Sequence, residues 1–317
     1  MTPSIYFLCP DIDIPSGGIN RIYRIAKVTG DCGYEAFLLH HQEGFRNRWA
    51  PLVPPVRYWG NGLRLRRDDV VVIPESEPGA MRHLPEGIRK VVLALNWSYV
   101  FENLPPGERW SEYGVCQVLT PSGVIQEFLA WAMDLPVYRI AVPVDHGAFS
   151  YVPENKEPLI LYMAHRNPHG DWIQKVFRQL PRPPSSWQWQ GVRNMAHSEY
   201  AGIMNRAAVF VATGLREGVP GPILEAMASG AVVVGYGGVG GNEYLVPQGE
   251  GQNAFQVENE DYSALCRVLD WVLSMMEARD PLIDRVRTNA LETVRPLTFE
   301  AERESLFRFW RTFLGNG

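Results

Sequence analysis

Two glutamates, Glu217 and Glu225, bracket seven residues in the densest run of chemistry-bearing types in the chain, residues 213–230. Pro222 suits the first position of a helix, where its missing N–H costs nothing, and Gly230 suits the stop. The pattern predicts a short helix starting near Gly221, entered through a flexible glycine loop from a strand at 209–212. Such a helix start offers free backbone N–H groups and a positive dipole end to an anion such as phosphate. Glu217 lies ahead of the helix, level with whatever is attached beyond that phosphate. Glu225 lies about one turn inside, where a carboxylate accepts two hydrogen bonds from a vicinal diol such as ribose. Singly, either glutamate reads as a solvated loop residue or a cap. Together with the surrounding glycines they read as a site.

Other clusters carry less. Asp11-Ile12-Asp13 fits a D-x-D metal–nucleotide pattern, but paired acids beside a glycine turn are commonly turn or cap residues, and no further acidic or histidine cluster supports an oxygen-rich site. Residues 235–240 fit G-x-G-x-x-G after a strand, with Glu258 at roughly the spacing of a dinucleotide acid. Pro247, Gly249 and Gly251 leave no room for the long helix that fingerprint needs, so a loop approaching phosphate or sugar is the preferred reading. The seven histidines form no H-x-x-x-H pair, and His40 and His41 point apart if their strand continues. Trp187 and Trp189 alternate with glutamines as packing residues do, while Arg193 and Met195 just beyond are candidates for a nucleobase pocket.

The elements that must position these groups alternate. Strands are predicted at 5–9, 36–39, 70–73, 91–95 and 115–119, with helices at 19–28 and 122–133 and a tight turn at Ser16-Gly17-Gly18. Residues 140–158, punctuated by Pro143, Gly147, Pro153 and Pro158, read as a linker. A second alternation follows, with strands at 159–163, 186–190, 209–212 and 231–235, and helices at 171–180, 198–206, 222–229 and 262–278. Phe299, Leu306, Trp310, Phe313 and Leu314 share a stripe of a final packing helix.

Composition bounds the function. The 317 residues carry 30 basic and 35 acidic side chains, net charge −5, which gives no general electrostatic case for nucleic acid. Length favours two domains. Four separated cysteines form no C-x-x-C pair, so zinc and disulfide frameworks are not expected and a reducing cytosol fits. No apolar run approaches a membrane span and no leader pattern is visible, so a soluble, cytoplasmic protein is expected, with at most peripheral contact at the inner membrane face.

The run Arg216-Glu217-Gly218-Val219-Pro220-Gly221-Pro222-Ile223-Leu224-Glu225-Ala226-Met227-Ala228-Ser229-Gly230 resembles the E-G-F-G-x-P-x-x-E-A-M-A-x-G signature of retaining glycosyltransferases of family 4, the glycosyl transferases group 1. Ser16-Gly17-Gly18 resembles their first glycine loop, residues 142–145 with Phe149 their interdomain stretch, and residues 235–241 with Glu243 their second glycine loop. The resemblance is strong over roughly residues 186–275. It implies an α/β fold of GT-B architecture, two Rossmann-like parallel-sheet domains facing a cleft: 1–145 on the acceptor side, 146–296 for the nucleotide-sugar donor, and 297–317 as a helix returning to the first domain.

It further implies a metal-independent, retaining transferase using a nucleotide-diphosphate sugar, such as a UDP-sugar, and a glycan or lipid-linked acceptor, with no cofactor and no nucleic acid. Glu217 would contact the donor sugar and Glu225 the ribose. Gly218, Val219, Pro220 and Gly221 would line sugar and phosphates, with Gly17 and Gly18 as further donor contacts, and Arg166 would neutralise the diphosphate. The chain departs from the pattern at Val219 and Pro220, and at Asp171, where a basic partner of Arg166 is usual; His169 or Lys175 would have to substitute. Asn96-Trp97 occupies the region where many relatives carry a histidine. Those departures keep open a catalytically degenerate nucleotide-sugar-binding or scaffolding protein of polysaccharide assembly. An NAD-linked oxidoreductase is the third reading.

Overall fold

The computed structural model describes residues 3–14, 16–50, 52–60, 62–164, 167–180 and 186–315. The chain divides into two compact units, Met1–Val142 with Glu300–Gly317, and Pro143–Phe299. No helix among the described residues is long and apolar enough to cross a membrane.

The first unit contains β1 (Ile5–Leu8), α1 (Gly17–Asp31), β2 (Ala36–His40), β3 (Val56–Tyr58), β4 (Val70–Pro74), α2 (Pro78–His83), β5 (Arg89–Leu93), α3 (Trp97–Asn103), β6 (Val115–Thr120), α4 (Gly123–Met133) and β7 (Val137–Arg139). Its seven strands are parallel in the order β3-β2-β1-β4-β5-β6-β7. Continuous apolar strands such as β1 and β4 are what a sheet covered on both faces requires. The second unit contains β8 (Glu157–Met163), α5 (His169–Arg178), β9 (Gln188–Val192), α6 (His197–Arg206), β10 (Ala207–Thr213), α7 (Gly221–Ala228), β11 (Val232–Tyr236), α8 (Gly238–Gly241), β12 (Phe255–Gln256), α9 (Tyr262–Glu277) and α10 (Pro281–Val294). Its five strands are parallel in the order β12-β11-β10-β8-β9. Pro158, expected in the linker, is the second residue of β8.

The last helix, α11 (Phe299–Phe313), packs into the core of the first unit through Leu306, Phe309 and Trp310. Trp310 stands edge-on to Phe7, and its indole N–H donates to Thr29 Oγ1 at 3.0 Å. The stripe differs from the expected one: Phe299 is exposed, and Glu302, one turn before Leu306, is fully buried. Glu302 accepts from Arg21 (3.0 Å) and Arg24 (2.6 Å), which α1 presents three residues apart. Removing the carboxylate takes away the buried acceptor that both guanidinium groups share, so Glu302→Ala is expected to cost about 3 kcal/mol in urea unfolding. A loss below about 1 kcal/mol would show that the pair does not hold α11.

Glu75, just after β4, is 3% exposed. Its Oε1 accepts from the Asn96 amide at 2.7 Å, yet burial pushes the carboxyl up from 4.5 to about 7 against that bond. The folded state therefore holds the proton more tightly than the unfolded one between about pH 4.5 and 7. Stability attributable to this group falls as pH rises through that window, by up to about 3 kcal/mol. Urea unfolding of Glu75→Gln at pH 5 and pH 8 should show a flatter pH dependence than the parent. An unchanged dependence would contradict the assignment.

Candidate donor-binding site

In the second unit, β9 continues from β8 on one side and β10 lies on the other, so the carboxyl ends of β8 and β10 form the topological switch point, where open α/β sheets bind ligands. Asn167, four residues beyond β8, ties the two ends together. Its Nδ2 donates to the Thr213 carbonyl at 2.7 Å, and its Oδ1 accepts from the His169 amide at 3.1 Å and the Thr213 hydroxyl at 3.4 Å. A small cavity lined by Asn167, Thr213, Gly214, Glu217, Pro222 and Ile223, among others, opens at this junction.

Glu217 reaches that cavity because its side chain folds back over Gly214. A Cβ at position 214 would stand 2.8 Å from Glu217 Cγ. The loop backbone is held from beneath by α8, whose first amides donate to it: Gly240 to the Glu217 carbonyl at 2.9 Å and Val239 to the Leu215 carbonyl at 3.4 Å. A Cβ on Gly240 would lie 2.2 Å from the Gly218 carbonyl oxygen. One on Gly238 (φ +61°) would lie 2.4 Å from that of Leu215, and one on Gly235 (φ +135°) 2.1 Å from that of Ala212. These three glycines at 235–240 are thus required by close approach to the chain's own backbone. The helix after them is four residues long, not the long helix of a dinucleotide fingerprint.

The start of α7 differs from expectation. The Gly221 amide donates to Val219 O at 2.9 Å, Pro222 has no N–H, and the Ile223 and Leu224 amides both turn back to Pro220 O. Donors for an anion therefore come one step earlier, from Gly218 and Val219, whose amides meet no acceptor among the described residues. The α7 dipole remains behind them. Glu225, half-buried on α7, accepts from the Tyr200 hydroxyl at 2.7 Å. The Tyr200 ring is in turn fixed edge-on to Phe149.

Arg193, beyond β9, pairs with Asp171 on the first turn of α5 at 2.5 Å. Asp171 also accepts from the Tyr162 hydroxyl at 2.6 Å, and burial first, then Asp171, pushes that phenol up to about 12. Tyr162 fits there because Gly170 and Gly191 leave room for its ring. The acid found in place of a basic side chain thus brings a cation to the same edge from the neighbouring strand.

His169 is 7% exposed, and both ring nitrogens face tyrosine hydroxyls, Nδ1 to Tyr236 at 2.6 Å and Nε2 to Tyr262 at 3.1 Å. Lys175 is exposed on α5. Arg166 lies outside the described residues. Gly17 and Gly18 open α1 in the first unit.

The remaining clusters have structural partners. Asp11 accepts from His40 Nδ1 (2.8 Å) and from the amides of His41 (3.3 Å) and Gln42 (2.7 Å), and Asp13 holds Arg48. Together they pin the loop after β2. Among the described residues, no group of three or more His, Cys, Asp or Glu is arranged to hold a metal ion.

Residues 159–275 match the family described as Glycosyl transferases group 1. A search of curated proteins finds no match. Among solved structures, the chain resembles a glycosyltransferase from Rickettsia africae (TM-score 0.72, 13% identity, 100% of each chain covered). It also resembles a sucrose-phosphate synthase from Thermosynechococcus elongatus (0.71, 13%, 99% of this chain and 100% of that one). Anabaena HepE, solved with UDP and glucose, is a third (0.66, 14%, 99% and 100%). With its seven- and five-stranded parallel sheets, the chain has the GT-B fold of these structures, and within its second unit residues 159–275 match the Glycosyl transferases group 1 family.

Proposed function

We propose that the protein is a retaining glycosyltransferase that moves a hexosyl group from a nucleotide-diphosphate sugar, with UDP-sugars the first candidates, to a glycan or lipid-linked acceptor. The observation that carries this reading is the Glu217 loop. A carboxylate folded over Gly214 is followed in the loop by two amides, of Gly218 and Val219, that meet no acceptor among the described residues, while a second carboxylate, Glu225 on α7, accepts from Tyr200. UDP and glucose bound in the HepE structure support the choice of donor class.

In this reading Glu225 receives the ribose hydroxyls and Glu217 faces the sugar, stabilising positive charge at the anomeric carbon. The amides of Gly218 and Val219, the α7 dipole and Arg193 receive the diphosphate, without a metal or cofactor. The bond from the anomeric carbon to phosphate breaks while the acceptor oxygen bonds to the same face, and the acceptor proton leaves on the departing phosphate oxygen. His169 orients α5 and does not touch the donor. The first unit takes the acceptor.

Val219, Pro220 and Asp171 favour a second reading, a binding protein without turnover. Nucleotide release from a panel of nucleotide-sugars, with and without glycan and lipid-linked acceptors, separates the two. Acceptor-dependent release supports the transferase; donor binding without release across the panel supports the second reading.

A further inference from the structure

A cavity of about 370 Å³ in the second unit lies at the opposite end of the strands from the Glu217 loop, where β8 and β10 begin. Lys156, Trp187, Ala208, Ile283, Asp284 and Arg287 contribute to its wall, with Glu157, Glu277, Arg279 and Asp280 also around it. The volume is that of a small-molecule site.

The carboxylates already have partners. Glu157 pairs with Arg206 at 3.1 Å, Glu277 accepts from the Trp187 indole at 3.1 Å, Asp280 caps α10 through the Leu282 amide at 2.9 Å, and Asp284 accepts from Arg287 at 2.7 Å. Lys156 is different. Its ammonium donates to the Ala207 carbonyl at 2.7 Å, and no carboxylate pairs with it among the described residues. Two of its three N–H donors are left over. Lys156 Nζ and the Arg287 guanidinium both lie over the Tyr151 ring, 6.0 Å and 5.3 Å from its centroid. Burial first, and Arg287 second, push the lysine down to about 7.

We propose that this cavity is a second ligand site, for a phosphate-type oxyanion received between the Lys156 ammonium and the Arg287 guanidinium. An anion there supplies the missing countercharge and takes up the spare lysine donors as charge-assisted hydrogen bonds. Trp187 and Ile283 give an apolar wall for an organic group attached to the phosphate. The site does not depend on the donor assignment, and either can fail without the other.

The test uses inorganic phosphate and glycerol 3-phosphate at constant ionic strength, with the full chain labelled at the lysine ε-carbon. The sequence has four lysines, Lys27, Lys90, Lys156 and Lys175, so the Lys156 signal is assigned by its loss in Lys156→Met. Either probe is expected to raise the Lys156 titration midpoint by about one unit or more. At 20 mM it should also raise the melting temperature by about 3 °C in the parent and not in Lys156→Met. Tighter binding of glycerol 3-phosphate assigns an organic phosphomonoester, and equal binding assigns phosphate itself. An unmoved Lys156 titration, or equal thermal shifts in parent and variant, would overturn the proposal.

Discussion

Gly240→Ala is expected to lower nucleotide-sugar turnover by about 100-fold and stability by about 2–4 kcal/mol. The new methyl carbon would sit 2.2 Å from the Gly218 carbonyl oxygen and 2.6 Å from that of Glu217. The second of these oxygens also accepts the Gly240 amide. Neither obstacle is a flexible side-chain end, so the strain is relieved only by moving the loop that presents Glu217 and the free amides. Misplacing a catalytic group by about 1 Å is enough for a loss of that size. Gly241→Ala is the matched control: its methyl would meet Ile223 Cδ1 at 3.6 Å, an ordinary contact, and activity should stay within a few-fold of the parent. Steady-state kinetics with urea unfolding of both variants checks the contrast. Equal behaviour of the two would show that α8 does not position the loop.

Glu217→Gln keeps the shape of the side chain and removes its charge. If Glu217 stabilises charge at the anomeric carbon, kcat falls by about 10²–10³, or about 3–4 kcal/mol of transition-state stabilisation, while nucleotide affinity stays within a few-fold. Glu225→Ala should behave in the opposite sense, because a diol contact made equally in ground and transition states is lost from binding. Kinetics paired with direct nucleotide titration read the split. A Glu217→Gln variant that loses nucleotide affinity as strongly as turnover would reverse the two assignments.

Much of this was legible in the sequence because the central strands are short β-branched or apolar runs. Residues 70–73, 115–119 and 209–212 lie inside β4, β6 and β10, and Ser122 caps α4 by accepting from the Ile125 amide. The short strands β3, β7 and β12 escaped, since two or three residues carry no periodicity of their own. The helix α10 also escaped, although Ile283, Val286, Ala290 and Val294 mark its buried face. At the site, the bend around Pro220 and Pro222 was visible, but the direction of its amides was not. A proline without an N–H leaves the Pro220 carbonyl to collect the next two donors, which moves the free amides back to Gly218 and Val219. Asn167, Tyr200 and Tyr162 had no signal in the sequence, because each works through a partner more than eight residues away. Glu302 was hidden for the same reason: its partners Arg21 and Arg24 lie at the other end of the chain.

The central claim is that the loop between β10 and α7, with Glu225 behind it, grips a nucleoside diphosphate. Calorimetric titration of the parent and of Glu225→Ala with UDP and the other common nucleoside diphosphates tests it directly. The account predicts that one of them binds the parent with a Kd of about 10⁻⁴ M or tighter and loses at least about tenfold in the variant. Absence of binding across the set, or identical affinity in the two proteins, would contradict it.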